Sequence, residues 1–334
     1  MDFGLDETQR AIAGLARETL SREPAESIWK ALARAGLLAL ALPNRLGGDG
    51  LGVLETAVLL TEVGRAAAGL PALHTLALGV LPVVHLGTPA QQADLLPEVA
   101  TGDRVLSAAV GAGSSTVDED GALSGRHTGV GYADRAHRVL IPAGEDVYLV
   151  DPHATGVCLT RTPTSSGLPE FTVGLDRVPA ERLGSAGATR LHRLAVTGAC
   201  AVGAGLLAGA LDRTAAHVRT REQFGRPLAA FQAVAQQVAD VYIAARTVHL
   251  GVLSACWRLA VDGAADDHAD LDVAAYWLTA EAPAALHTCH HLHGGLGVDA
   301  DYPLHRYYSQ TKDLVRFLGG VNHRLDRLGA RVAS

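Results

Sequence analysis

Aromatic residues are scarce in this chain of 334 residues, where Phe, Trp and Tyr together make up 4%. Glycine is abundant, with 37 residues, and alanine recurs throughout, which favours closely packed helices over a β-sandwich core. Positive charge is also in short supply, because 28 Lys and Arg stand against 35 Asp and Glu and leave a net charge of −7. A chain without a basic surface is not expected to bind nucleic acid.

Two further absences concern the cell compartment. The four cysteines are isolated in sequence and show no C-x-x-C spacing: Cys158, Cys200, Cys256 and Cys289. Reduced thiols and a cytoplasmic location are the simplest interpretation. The first residues do not combine a positive segment with an apolar stretch, so no secretion signal is expected. The longest apolar segment, residues 70–86, is interrupted by Pro, His and Gly, and therefore predicts no membrane span.

The pattern of apolar residues divides the chain into three regions. An apolar content of 48% is ample for two or three packed units. Residues 6–102 have helical spacing, and Thr88 followed by Pro89 has the form of a helix N-cap. From residue 104, short runs such as 105–110 and 147–150 indicate strands, whereas 111–131 is turn-rich and weakly patterned. Ala-rich helices return near residue 189. The predicted domains are 1–103, 104–184 and 185–334, in α–β–α order.

Two motifs in the last region stand out. Residues 221–228 read R-E-Q-F-G-R-P-L and are followed by F-Q at 231–232. Residues 293–297 read H-G-G-L-G, and 301–308 read D-Y-P-L-H-R-Y-Y. In this order, and separated by a helical stretch of suitable length, they resemble the C-terminal half of acyl-CoA dehydrogenases. Weaker marks such as Trp29 and the glycine-rich turn at 47–50 extend the resemblance to the N-terminal region.

The resemblance implies an α+β fold of the acyl-CoA dehydrogenase type. Its parts would be an N-terminal helical domain, a shortened central β domain and a C-terminal four-helix bundle. It also implies FAD as the cofactor, shared between two subunits. The flavin ring would lie in one subunit, and the neighbouring subunit would contact the adenine and the pyrophosphate.

Several residues match the positions that the family uses for the adenine and pyrophosphate contact. Arg221 offers a permanently charged fork of donors to a pyrophosphate, Gln223 can donate or accept, and Phe224 presents an apolar surface. The complete predicted set is Arg221, Gln223, Phe224, Gln232, His291, Gly294 and Gly295. The glycines would let the backbone approach a dinucleotide closely. The alternative for Arg221 is a solvent-facing side chain at a helix end.

The segment 287–293 contains four histidines and Cys289, which invites a metal-site interpretation. His287 and His291 share a helix face at a spacing of four residues. Metal ligands would still be needed from elsewhere in the chain, so polar lining of a subunit interface is favoured and no metal is predicted.

The central domain lacks two motifs of the resembled family. Its T-E-P-x-x-G-S-D loop and W-I-T strand, which lie against the flavin ring, correspond here to residues 108–114 and 128–133, and neither motif is present. This chain's own ring site is therefore predicted to be vestigial. The alternative is a diverged loop that binds the flavin through different residues.

The catalytic carboxylate of the family is also missing. Counting from Tyr302 and Pro303 to its usual turn leads to Leu318, and its second known position leads to Ala195. Neither side chain can accept a proton, and a general base contributes about 10²- to 10⁴-fold in rate. No catalytic residue is therefore predicted in this chain. A relocated base would have to come from the nearby acids, which are Asp212, Asp240 and Asp313.

These losses resemble the shorter subunit of heteromeric α2β2 acyl-CoA dehydrogenases of actinobacterial steroid and cholesterol side-chain degradation. That resemblance implies a full-length catalytic partner that binds most of the acyl-CoA, and an electron-transfer flavoprotein as acceptor. Two alternatives remain open: a homotetrameric flavoenzyme with a relocated base, and a structural or regulatory homologue without a reaction. The sequence leaves open the acyl group, the identity of the partner and the acceptor.

Overall fold

The structure is a computed structural model and describes residues 3–24, 26–261 and 269–332. The chain forms two compact units. One comprises residues 6–59 and 69–198, and the other comprises the first residues together with 60–68 and 199–334. The helices that begin in the first unit are α1 Glu7–Arg22, α2 Ile28–Arg34, α3 Val53–Arg65, α4 Leu81–Leu86, α5 Pro89–Leu95, α6 Pro97–Ala100 and α7 Ala188–Thr220. Of these, α3 and α7 continue into the second unit.

Local capping explains where the first helices begin. The Asp6 carboxylate accepts a hydrogen bond from the Gln9 backbone amide at 2.7 Å, and the Gln9 side chain accepts one from the Asp6 amide at 3.1 Å. The same reciprocal box starts α5, where Thr88 pairs with Gln91 and Pro89 fills the first helical position. The N-cap predicted at Thr88 is confirmed. Each such box satisfies donors that the helix itself leaves unpaired.

Two four-stranded sheets make up the β part of the first unit. Their strands are β1 Val105–Ala108, β2 Gly113–Val117, β3 Ala122–Gly131, β4 Ala136–Ala143, β5 Asp146–Val150, β6 Val157–Arg161, β7 Glu170–Pro179 and β8 Glu181–Gly184. The strand orders are β1-β4-β5-β8 and β2-β3-β7-β6, and only β1 with β4 is parallel among these pairings. Apolar side chains from both sheets, among them Leu123, Val139, Ile141 and Phe171, form one buried cluster.

Strands lie where the residues after 104 predicted them, with one difference. β2 and β3 cross the segment 111–131, which the sequence pattern indicates as turns. Glycines interrupt the alternating pattern of these strands, because the backbone of a neighbouring strand lies too close to leave room for a side chain. A Cβ on Gly125 would lie 2.2 Å from the Ser114 carbonyl oxygen of the paired strand. The division into three domains at 103/104 and 184/185 stays a prediction.

The second unit is helical. Besides the end of α3 and most of α7, it contains α8 Gln232–Val261, α9 Ala269–His293, α10 Leu304–Phe317 and α11 Gly320–Val332, with the short strands β9 Glu222–Gln223 and β10 Arg226–Pro227 between α7 and α8. Residues 60–65 of α3 cross α7 at backbone contact. A Cβ on Gly205 would lie 1.9 Å from the Thr61 carbonyl oxygen, and one on Gly64 would lie 2.1 Å from that of Val202.

Two helices, Ala188–Thr220 and Gln232–Ala260, have the length and apolar composition of a membrane crossing. Buried core helices pass the same test, and 89% of the apolar window of the first is buried inside the protein. Only 28% of the window in the second is buried. The expectation that the chain has no membrane segment stays a prediction.

Candidate cofactor site

The first motif forms a tight hairpin directly after α7. β9 and β10 pair antiparallel, with Arg226 opposite Gln223. Phe224 and Gly225 form the turn, and both have positive φ, +54° and +76°, the backbone pattern of type I′ hairpin turns. The Arg221 amide donates to the His217 carbonyl oxygen at 2.8 Å, and the Leu228 amide donates to that of Arg221 at 2.9 Å. The hairpin is therefore fixed to the helix end at its base.

Every predicted cofactor residue of this motif is exposed in the isolated chain. Arg221, Gln223 and Gln232 are all exposed, and the Phe224 ring at the tip is 93% exposed. Phe224 meets Phe231 edge to face at 6.3 Å, and the Arg226 guanidinium lies 4.1 Å from the centre of the Phe231 ring. The motif therefore presents its charged, amide and aromatic groups to solvent in the isolated chain.

The second motif forms the turn after α9. A 3₁₀ helix, Gly294–Val298, follows the last residue of α9, and His291 is exposed on the last turn. Gly294 has φ +58°, which explains its glycine. Gly295 has no such constraint, and a Cβ on either glycine would meet nothing within 4 Å. The fold alone does not require a glycine at 295, whereas close approach of a ligand to the backbone would.

A pair of histidines connects the two motifs. The His217 ring, one turn before Arg221, stacks on the ring of His293, which directly precedes Gly294. Their centroids are 4.4 Å apart and their planes are inclined by 20°. The sequence analysis missed His217, although its position four residues before Arg221 places it on the same helix face.

Two other histidines of the 287–293 segment have local partners. His287 and His290 pack edge-on against the Tyr308 ring at 5.2 and 5.5 Å, and the His290 Nδ1 lies 2.7 Å from the Gly297 carbonyl oxygen. Across residues 3–24, 26–261 and 269–332, no three His, Cys, Asp or Glu side chains are placed to hold a metal ion.

The position predicted for the family's base holds an apolar side chain. Leu318, which caps the C-terminus of α10, is 1% exposed. Its carbonyl oxygen accepts a hydrogen bond of 2.6 Å from Nε of Arg324, an arginine that is itself 2% exposed. Ala195 is buried on α7. Neither position offers a titratable group.

A buried ionic cluster lies behind Leu318. The Asp272 carboxylate of α9, 4% exposed, lies 3.7, 3.1 and 2.7 Å from nitrogens of Arg324, Arg327 and Arg331 of α11. Burial by itself would raise the pKa of Asp272, but hydrogen bonds and charge from Arg327 and Arg331 outweigh it and hold that pKa below its usual value. The three arginines follow helical spacing, and this was the one signal in the sequence that could have indicated them.

The acids considered as relocated bases lie at the surface or in ion pairs. Asp212 accepts from Nε of Arg65 at 2.9 Å and is exposed. Asp240 is exposed on α8. Asp313 lies 3.9 Å from Arg316, one turn along the same helix.

The two stretches predicted to correspond to the ring-binding motifs, 108–114 and 128–133, are hydrogen-bonded to each other. The amide and hydroxyl of Thr128 both donate to the Ala112 carbonyl oxygen, at 2.9 and 3.0 Å. At the end of β3, a Cβ on Gly131 would lie 2.2 Å from Nε2 of His74. The His74 side chain is half-buried, and desolvation lowers its pKa to about 4. The neutral imidazole thus occupies the space beside Gly131.

Comparison with known proteins identifies the class. Residues 6–103 match the family model for the N-terminal domain of acyl-CoA dehydrogenases, and residues 189–333 match the model for the C-terminal domain. The chain belongs to the acyl-CoA dehydrogenase family. The resemblance, the α+β fold and the FAD cofactor predicted from the sequence are confirmed by this membership.

Individual relatives are similar over nearly the whole chain. Acyl-CoA dehydrogenase FadE28 of Mycobacterium tuberculosis is 46% identical over 99% of both chains. FadE27 of the same organism is 36% identical over 92% of this chain and 88% of its own. Among solved structures, a chain of the Tcur3481-Tcur3483 steroid ACAD has a TM-score of 0.91 at 36% identity, covering 98% of both chains. A chain of the ChsE4-ChsE5 complex of M. tuberculosis has a TM-score of 0.91 at 32% identity, covering 100% of this chain and 99% of its own.

Proposed function

We propose that this chain is the non-catalytic subunit of a heteromeric FAD-dependent acyl-CoA dehydrogenase that oxidises a steroid side-chain CoA thioester in the cytoplasm. The observation that carries the proposal is Leu318. The family's base position holds a buried leucine whose backbone is clamped by Arg324, so the chain has no carboxylate there to remove an α-proton.

The residues left exposed suit the neighbour's share of a flavin site. Arg221 presents a cation, Gln223 and Gln232 present amides, and Phe224 presents an apolar ring on an ordered tip. Gly294 and Gly295 leave open space above the backbone. These groups fit the adenine and pyrophosphate half of FAD, which needs a positive charge, polar donors and close backbone approach. His291 would add a polar contact.

When bound, FAD supplies the acceptor for the hydride that leaves the β-carbon of the acyl thioester. This chain's residues would hold the cofactor from the side remote from that chemistry. The α-proton would go to a carboxylate of the partner, which would also bind most of the acyl-CoA. An electron-transfer flavoprotein is the proposed acceptor of the electrons.

The substrate class and the assembly are supported by the relatives. One structural neighbour is the Tcur3481-Tcur3483 steroid ACAD, and another belongs to the ChsE4-ChsE5 complex of M. tuberculosis. The largely exposed apolar helix α8 offers a surface for such assembly. The three-domain division and the lost ring site of the central β domain belong to the same proposal.

Co-expression tests the proposal directly. The chain alone should be colourless or poorly soluble, whereas the chain with its full-length partner should form a yellow heterotetramer with one flavin per pair of unlike chains. The measurements are flavin absorbance and mass by light scattering. A stable yellow homotetramer with one flavin per chain would favour the homotetrameric alternative, and a colourless complex would favour a structural role.

Arg221→Ala in the heterotetramer tests the cofactor contact. A charge-assisted hydrogen bond contributes about 1.5–3 kcal/mol, so the FAD dissociation constant should rise about 10- to 150-fold. Arg219→Ala is the matched control, because Arg219 is exposed two residues earlier and donates to its own helix at Ala215. Equal flavin retention in the two variants after dialysis would remove Arg221 from the site.

A further inference from the structure

The rings of His217, near the end of α7, and His293, the last residue of α9, stack on each other. Among the described residues, no other pair of rings joins the ends of these two helices. The carbonyl oxygen of His217 accepts the Arg221 amide at 2.8 Å, so His217 anchors the base of the hairpin. His293 is the residue from which the glycine turn starts. The stack therefore sets the position of one motif relative to the other.

Hydrogen bonding fixes the tautomer of His293. Its Nδ1 lies 2.8 Å from the Cys289 carbonyl oxygen, which can only accept, so Nδ1 carries the hydrogen. In the neutral ring, Nε2 is then a bare acceptor, and it is buried without a hydrogen-bond partner. A second proton on Nε2 would be a buried donor without an acceptor, which costs free energy.

The charges around the pair oppose protonation. Burial lowers the pKa of His293, against the hydrogen bond to Cys289, and the charges of His217, His290 and Arg213 lower it further. Burial and the charge of Arg221 lower the pKa of His217. The Tyr302 ring, from the segment before α10, lies 5.4 Å from His293, and Tyr307 of α10 holds Arg213 through a 3.0 Å hydrogen bond. The groups that face the pair from α7, α9 and α10 are thus cationic or neutral.

We propose that His217 and His293 form a pH-sensitive positioning pair that holds the hairpin and the glycine turn together while His293 is neutral and the two rings are not both charged. Protonation of His293 would leave its Nε2–H buried without an acceptor, and protonation of both rings would place two like charges 4.4 Å apart, so either event separates the two motifs. The chain then loses its joint contact to the cofactor of the partner subunit. This inference rests on the proposed function, because it concerns the same contact.

The test measures flavin retention by the purified heterotetramer between about pH 7.5 and pH 5, within the range in which histidine titrates. Free flavin is separated by gel filtration and quantified by fluorescence, and far-UV circular dichroism at each pH verifies the fold. Wild-type complex should lose flavin as the pH falls. His217→Phe keeps a stacking ring without a titratable nitrogen, and should move the midpoint of loss to lower pH. His217→Tyr, a second non-titrating ring, should do the same, and His217→Ala should weaken retention at every pH.

His153→Phe is the control, because His153 is exposed in the β part of the chain. An unchanged midpoint in folded His217→Phe and His217→Tyr would overturn the proposal. Failure of the proposed function has a different signature, since Arg221→Ala would then retain flavin fully at about pH 7.5. If Arg221→Ala loses flavin while the histidine variants keep the wild-type midpoint, the cofactor contact stands and only the pH-sensitive pair is wrong.

Discussion

Replacing Leu318 by glutamate introduces a carboxylate at the predicted base position and tests whether this chain can use one. The side chain at this position is 1% exposed. Losing its apolar burial costs about 1.5–3 kcal/mol, and an ionised carboxylate there adds a desolvation penalty of several kcal/mol. We expect Leu318→Glu to lower the free energy of unfolding by about 3–5 kcal/mol at neutral pH, a large part of the 5–15 kcal/mol typical of a domain.

The assay combines urea unfolding of the heterotetramer with turnover per flavin. Leu318→Gln is the matched control, since it has the same shape without the charge, and it should be less destabilising than glutamate at neutral pH. The difference should shrink as the pH falls and the carboxyl becomes protonated. Turnover should stay at the wild-type level where the complex survives, because the proposed function leaves the new base without a flavin ring beside it. Doubled turnover, or rescue of a partner that lacks its own carboxylate, would refute the division of labour.

Three further predictions concern groups within single units. Asp272→Asn removes the carboxylate shared by three arginines and should lower the free energy of unfolding by about 3–5 kcal/mol. Asp270 is a half-exposed neighbour on α9, and Asp270→Asn should lower it by less than about 1 kcal/mol. Equal urea midpoints for the two variants would contradict this prediction. Desolvation lowers the pKa of His74 from 6.5 to about 4. Between these two pH values the unfolded chain binds a proton at His74 and the folded chain does not. Stability should therefore fall by up to about 3 kcal/mol as the pH drops through that window, and His74→Leu should flatten the profile measured by urea unfolding. Gly205→Ala should destabilise by about 3 kcal/mol through overpacking against Thr61, while Gly329→Ala, with open space around it on α11, should be neutral or stabilise by up to about 1 kcal/mol in thermal melts.

Much of the secondary structure could be predicted from the sequence, because the residue patterns that indicate it are local. The Thr88 cap, the strand within 147–150 and the long final helices all follow from residue types at short spacing. β3 was not readable, because Gly125 and Gly131 stand at places where a neighbouring strand or His74 leaves no room for a side chain. Such glycines add nothing to the alternating apolar pattern that predicts a strand. The reason for a glycine at each position is a residue that is distant in sequence.

The candidate site divides in the same way. The exposed motif residues Arg221 and Phe224 were found by their order and spacing, and their roles stay predictions. The Arg324 contact with Leu318 and the Asp272 cluster were not found, because Asp272 and Arg324 lie on different helices and nothing in the 51 intervening positions links them. The His217–His293 stack escaped for the same reason. Pairing between distant helices is a property of packing, which composition and periodicity do not encode.

The strained, exposed Phe224 affects which substitutions would stabilise the isolated chain. A bulky residue at φ +54° is strained by about 1–3 kcal/mol, and a ring that is 93% exposed recovers almost nothing by burial. Glycine or asparagine would suit that turn better and should make the solitary chain more stable. A search for thermostable variants of the isolated chain would therefore favour replacement of Phe224, at the expense of the cofactor contact proposed above.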